Sequence, residues 1–156
     1  MSEFEIPARV HKLHEDIQEN ELRYHNKRVA VTKEFIFDAA HHLHLYEGKC
    51  KSLHGHTYHL EVTVSGYTNH IGLVIDFNDL KRIYKERIGS RLDHRYLNAV
   101  LPPMNTSVEN MIVWIWEQLD AALAAECKSE QEIRLEKLVL HETPTSRATL
   151  KRDWMA

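Results

Sequence analysis

The chain has 156 residues, about the length of one domain, and its 43% hydrophobic and 28% charged content is that of an ordinary folded protein. Lys and Arg number 20 against 23 Asp and Glu, so no basic excess points to a nucleic-acid partner, and no apolar run is long enough to span a membrane. Two cysteines, Cys50 and Cys127, are too few for a disulfide scaffold, and with no basic-then-apolar leader the chain is read as cytoplasmic.

Residues 1–28 are polar and mixed in charge and are expected to form a loosely docked arm, leaving 29–156 as the single domain. From Val29 to Phe37 the apolar residues alternate, which predicts a strand. Leu43 to Leu53 reads as a loop, and His56 to Ser65 as a second strand with Leu60, Val62 and Val64 on one face. Gly72 to Phe77 is a short apolar run expected to be extended. A helix is expected from Asn78 to Leu92, with Phe77, Leu80, Tyr84 and Ile88 along its apolar side. Thr106-Ser107-Val108-Glu109 has the spacing of a capping box and opens a second helix bearing Ile112, Ile115, Leu119 and Ala122. Trp114 and Trp116 cannot share one side of that helix, so only one is expected in the core. Glu132 to Glu142 and Arg147 to Arg152 read as two closing strands. The order predicts an α+β fold: a four-stranded antiparallel sheet with two helices on one face.

Of 12 histidines, six fall between His41 and His59. In His54-Gly55-His56, residues two apart in an extended chain point the same way, about 6.6 Å apart, so both imidazoles can reach one ion. Their parity matches Leu60, Val62 and Val64, which aims them at the core face. If the first strand keeps its register, His41 shares a face with Phe35, Phe37 and Ala39, whereas His42 and His44 point away. Three neutral imidazoles with one open position is the arrangement of a catalytic zinc. His42, His44 and His59 read as surface or hydrogen-bonded histidines.

Cys50, four residues before His54, is either a fourth ligand closing a structural site or a free thiolate beside the metal; spacing does not choose. Asp93-His94 is either a solvated capping pair or a histidine oriented by a carboxylate to move protons near neutral pH. Glu142 shares the parity of Leu138 and Leu140, which puts a carboxylate on an apolar face, suited either to a ligand with paired N–H donors or to capping Thr143 to Ser146. Glu109 is a helix-capping residue with any ligand role secondary, and Cys127 is expected to be inert.

Phe37-Asp38-Ala39-Ala40-His41-His42-Leu43, Cys50-Lys51-Ser52-Leu53-His54-Gly55-His56-Thr57-Tyr58, Leu92-Asp93-His94 and His141-Glu142-Thr143-Pro144-Thr145-Ser146 occur in the order seen in the 6-pyruvoyl-tetrahydropterin synthase family. The chain resembles that family from Val29 to Arg152. The Cys-x3-His-Gly-His spacing is similar to the bacterial branch that makes 6-carboxy-5,6,7,8-tetrahydropterin for queuosine and other 7-deazapurines. The resemblance implies a tunnelling fold, assembled as a homohexamer of two face-to-face trimers with sites at subunit interfaces. It implies Zn2+ held by His41, His54 and His56, Cys50 as general base, and Asp93 with His94 as proton relay. It further implies Glu142 as pterin anchor, with Glu109 as a second pterin-contacting acid.

Overall fold

The structure, a computed structural model, describes residues 17–155; the first 16 residues of the expected arm lie outside the described residues. Strands β1 (Arg28–His41) and β2 (His54–Tyr67) form a long antiparallel pair, His41 facing His54 at one end and Arg28 facing Tyr67 at the other. β4 (Arg134–Thr143) pairs with β2, and β5 (Ser146–Lys151) with β4, both antiparallel. The α+β class is as expected, but the sheet has five strands, not four: β3 (Arg95–Tyr96) lies parallel to β1 in the order β3-β1-β2-β4-β5. A two-residue strand has no periodicity to read, and tertiary docking alone creates it.

Alternation decides which face is covered. Phe35, Phe37, Ala39 and His41 of β1 and Tyr58, Leu60, Val62 and Val64 of β2 are buried on one face, while Ile36 on the other is 59% exposed. The helices pack on the buried face. Helix α1 (Phe77–Tyr84) is capped by Asp76, whose side chain accepts from the Asn78 N–H at 2.8 Å. It runs through a π-helical turn at Lys85–Gly89 into the short α2 (Ser90–Leu92), so the expected single helix is realised with a bulge. Leu80, Tyr84 and Ile88 are buried, but Phe77 is not; it lies open beside the Lys33 ammonium, 5.8 Å from its ring. The apolar stretch before it is not a strand. The Asn69 side chain accepts from the Ile71 and Leu73 N–H groups, and Gly72 supplies the positive φ of 86° that folds the segment into a turn.

After the one-turn α3 (Leu97–Val100), helix α4 (Val108–Glu126) covers the sheet with Ile112, Ile115, Leu119 and Ala122 buried as expected. Two details differ. Ser107, not Thr106, is the N-cap, accepting from the Asn110 N–H at 3.2 Å. Both Trp114 and Trp116 are buried, because α4 meets β4 and β5 on one side and α1 with the π-helical turn on another, so more than a single stripe of the helix is enclosed. Among the described residues no helix is long and apolar enough to cross a membrane.

Candidate active site

The ends of β1 and β2 that face each other bring three imidazoles together. Ligand nitrogens of His41, His54 and His56 all lie within 4.8 Å of one another. The pairing of His41 with His54 and of Ala39 with His56 places all three on the helix-facing side of the sheet, at its end. His41 is almost fully buried; His54 and His56 are half-buried. His42, His44 and His59 stand outside this group, His42 bonded instead to the Tyr96 hydroxyl at 2.7 Å.

Hydrogen bonds behind the rings decide which nitrogen is free. His41 Nδ1 lies 2.8 Å from the Thr106 carbonyl oxygen, and His54 Nδ1 lies 2.7 Å from that of Ser52. A carbonyl only accepts, so each Nδ1 carries the proton and each Nε2 presents a bare lone pair. Those two Nε2 atoms are 3.1 Å apart. Lone pairs at that distance repel unless a cation lies between them. A proton suits the place poorly, because burial lowers the His41 pKa to about 4 and lowers that of His56 as well. His56 Nε2 is itself buried with no hydrogen-bond partner among the described residues. Two nitrogens on a tetrahedral metal with bonds of about 2.0–2.1 Å would be about 3.3 Å apart, close to the separation here. The residues therefore fit a divalent metal ion bound through three neutral imidazoles. Cys50, in the one-turn 3-10 helix Lys49–Lys51, is half-buried, and its sulfur is not one of the grouped atoms.

The carboxylates lie to either side. Glu142 is half-buried with Oε1 3.6 Å from His56 Nε2. It shares a cavity of about 580 Å3 with Glu109 and Arg147, so the two acids singled out in the sequence meet across 33 residues of chain. On the other side, a cavity of about 570 Å3 is lined by Asp38, Gly55, His56, Thr57, His94 and Tyr96 among others. There Asp93 Oδ1 accepts from the Asp38 N–H at 3.0 Å and lies 3.0 Å from His94 Nδ1. The bond from Asp38 and then the contact with His94 hold the Asp93 carboxyl below its ordinary pKa. His94 sits in the left-handed region at φ 57°, where its N–H reaches the Asp38 carbonyl at 2.6 Å. Such a backbone is uncommon outside glycine and recurs where surrounding structure holds a functional side chain in place. Nδ1 faces the carboxylate, which leaves Nε2 of the exposed ring to exchange protons.

Three contributors escaped the sequence reading. Thr106, read as a cap, instead places its carbonyl and its hydroxyl, 3.1 Å away, behind His41. Asp38 clamps the Asp93-His94 turn through both its N–H and C=O, and its side chain accepts from the Thr57 hydroxyl at 2.5 Å. Tyr58 is fully buried, with its ring edge-on to those of His41 and His56, and its hydroxyl has no partner among the described residues. Burial, and then the Glu142 carboxylate, raise its pKa. Only the position of Asp38, opposite Thr57 in the β1–β2 register, had a signal in strand alternation.

The sequence profile described as 6-pyruvoyl tetrahydropterin synthase matches residues 30–153. The chain belongs to that family. It is 34% identical over 140 residues to the 6-carboxy-5,6,7,8-tetrahydropterin synthase of Haemophilus influenzae, covering 74% of this chain and 94% of that protein. It is 33% identical over 113 residues to the 6-pyruvoyl tetrahydrobiopterin synthase of Dictyostelium discoideum, covering 63% and 83%. Among solved structures, the Caenorhabditis elegans 6-pyruvoyl tetrahydropterin synthase superposes with a TM-score of 0.68 at 26% identity, over 80% of this chain and 96% of that one. This member of the family thus shares the tunnelling fold of its relatives.

Proposed function

We propose that this chain is a zinc-dependent 6-carboxy-5,6,7,8-tetrahydropterin synthase, a lyase converting 7,8-dihydroneopterin triphosphate and water to 6-carboxytetrahydropterin, acetaldehyde and triphosphate on the route to queuosine and related 7-deazapurines. Family membership supports a pterin side-chain lyase, and the Cys50-x3-His54-Gly55-His56 spacing favours the carboxy-forming branch. The observation that carries the reading is the set of three imidazole nitrogens, two of them fixed as bare lone pairs, beside the Glu142 carboxylate.

His41, His54 and His56 would hold the zinc, which supplies Lewis-acid stabilisation of charge developing on the side-chain oxygens. Cys50, outside the ligand group, takes a proton from the substrate side chain as thiolate. His94, oriented through Nδ1 by Asp93, delivers or removes a proton at Nε2 as the chain rearranges and the carbon–carbon bond breaks. Glu142 accepts two parallel hydrogen bonds from the pterin amino group and ring N–H, with Glu109 on the same cavity wall, which fixes the ring while the tail reacts. Residues 29–156 form the catalytic unit, and Arg28, the last residue of the expected arm, is already joined to it as the first residue of β1. The working assembly is a cytoplasmic homohexamer, two trimers with sites at subunit interfaces.

Incubation of the zinc-loaded protein with 7,8-dihydroneopterin triphosphate tests this. Stoichiometric acetaldehyde and a carboxylated tetrahydropterin are expected. A pyruvoyl product without acetaldehyde would move the chain to the 6-pyruvoyl branch, and phosphate release without carbon–carbon cleavage would overturn the lyase reading.

A further inference from the structure

Among the described residues three buried side-chain polar atoms have no hydrogen-bond partner: His56 Nε2, the Tyr84 hydroxyl and the Tyr58 hydroxyl. The first is accounted for by metal binding. The Tyr58 hydroxyl is a different matter, because a buried unpaired hydroxyl is a cost that phenylalanine of nearly the same shape would avoid. The ring is already well packed, with no exposed surface, stacked on Phe37 at 4.9 Å between centroids and edge-on to His41 and His56. Packing therefore does not call for the oxygen.

The surrounding side chains show which carboxylate shares its neighbourhood. The β2–β4 ladder ends at the His59–His141 pair, with Leu60 on Leu140 before it, so Tyr58 and Glu142 are the next residues on their strands. Both reach the helix-facing side around one imidazole: the Glu142 Oε1 lies 3.6 Å from His56 Nε2, and the Tyr58 ring stands edge-on to His56 with centroids 5.6 Å apart. On the sheet side that carboxylate has His56 Nε2 at 3.6 Å, which the proposed function commits to the metal. The Tyr58 phenol is a neutral, fully buried donor beside that imidazole, with its hydroxyl unpaired among the described residues.

We propose that Tyr58 is a positioning residue for Glu142: its hydroxyl donates to the carboxylate when a pterin is seated, holding the plane of the two oxygens toward the pterin N–H groups. The inference rests on the reading of Glu142 as pterin anchor. In the free protein the hydroxyl waits unpaired, and pterin binding draws the carboxylate into the geometry that satisfies all three donors at once. A fixed carboxylate loses less freedom on binding, so the gain appears in affinity for the ring and not in the rate of the side-chain chemistry.

The test is a double-mutant cycle on the zinc-loaded protein, with neopterin binding read by fluorescence, accompanied by thermal melts and kinetics. Tyr58→Phe is expected to weaken neopterin binding roughly tenfold and raise KM correspondingly, with kcat little changed. Its melting temperature should be equal to or above that of the parent, the opposite of what loss of a structural hydrogen bond would cause. Glu142→Gln should weaken binding further, and adding Tyr58→Phe to it should change affinity by less than about twofold. Unchanged affinity in Tyr58→Phe, or full additivity with Glu142→Gln, overturns the coupling while leaving the anchor in place. Unchanged affinity in Glu142→Gln overturns the anchor itself and the role of Tyr58 with it.

Discussion

The two ends of the β1–β2 pair are built from the same ladder and treat their polar atoms in opposite ways. At the Arg28–Tyr67 end, among the described residues, no buried side-chain polar atom is unpaired. Arg28 Nε donates to Ser65 Oγ at 2.9 Å, Ser65 Oγ donates to Glu136 at 2.5 Å, and Gln131 Nε2 reaches the carbonyls of Tyr67, Leu73 and Val74 at 2.8–3.1 Å. At the His41–His54 end, lone pairs face one another and two buried polar atoms, His56 Nε2 and the Tyr58 hydroxyl, stay unpaired. Buried polar groups are nearly always satisfied, so one end is complete for folding while the other is complete only with something bound. Behind two of the three rings hydrogen bonds are nevertheless in place: Thr106 fixes His41 and Ser52 fixes His54 from outside, leaving their Nε2 atoms bare.

That contrast is broken most decisively at the ligands. His54→Ala, or removal of metal by a strong chelator, should abolish turnover by a factor of about 10^3 or more, with activity restored by added zinc only in the parent protein. Metal content by elemental analysis checks it; full occupancy in His54→Ala would break the site assignment. Cys50→Ala should lower kcat by about 10^2–10^4 with zinc content unchanged, and loss of zinc would instead make the sulfur a ligand. Thr106→Val removes the hydroxyl 3.1 Å from His41 Nδ1 and should weaken zinc about tenfold in a chelator competition titration. At the opposite end, Gln131→Ala should cost about 1–2 kcal/mol in denaturant unfolding and leave zinc affinity and kcat unchanged. A change in zinc affinity there would show that the ends are coupled.

The smallest effect concerns acid. The folded pKa of His41, about 4, lies below the 6.5 of the unfolded chain, so between these values the unfolded state binds the extra proton. Stability of the metal-free protein from this group is complete above pH 6.5 and falls as pH drops toward 4. At pH 5.5 the loss is about 1 kcal/mol. In His41→Asn the slope of unfolding free energy against pH should flatten over that window; an unchanged slope would place the acid sensitivity elsewhere.

Legibility in the sequence followed the range of the interaction. The parity that set His41 apart from His42, and grouped His54 with His56, comes from side chains alternating across a strand, and the structure brings those three rings together. The parity of Glu142 with Leu138 and Leu140 was legible for the same reason. Helix periodicity marked α4 but misjudged Trp114 and Trp116, because a pattern shows which side faces the sheet and not what packs on its other flank. Thr106 was misread because Thr106 to Glu109 matches a capping box by spacing, whereas the cap is Ser107, one residue later.

The sequence by itself determined the faces: alternation and helical period are consequences of covalent geometry, and they sorted the histidines and most of the core residues without knowledge of the fold. Only the tertiary structure decided the partners. Thr106 stands 65 residues from His41, and Asp38 stands 55 from Asp93. Those contacts choose the tautomer of a ligand and the backbone twist of His94, and no local pattern encodes them, because each is made by two segments that meet only when the sheet and its covering helices are assembled.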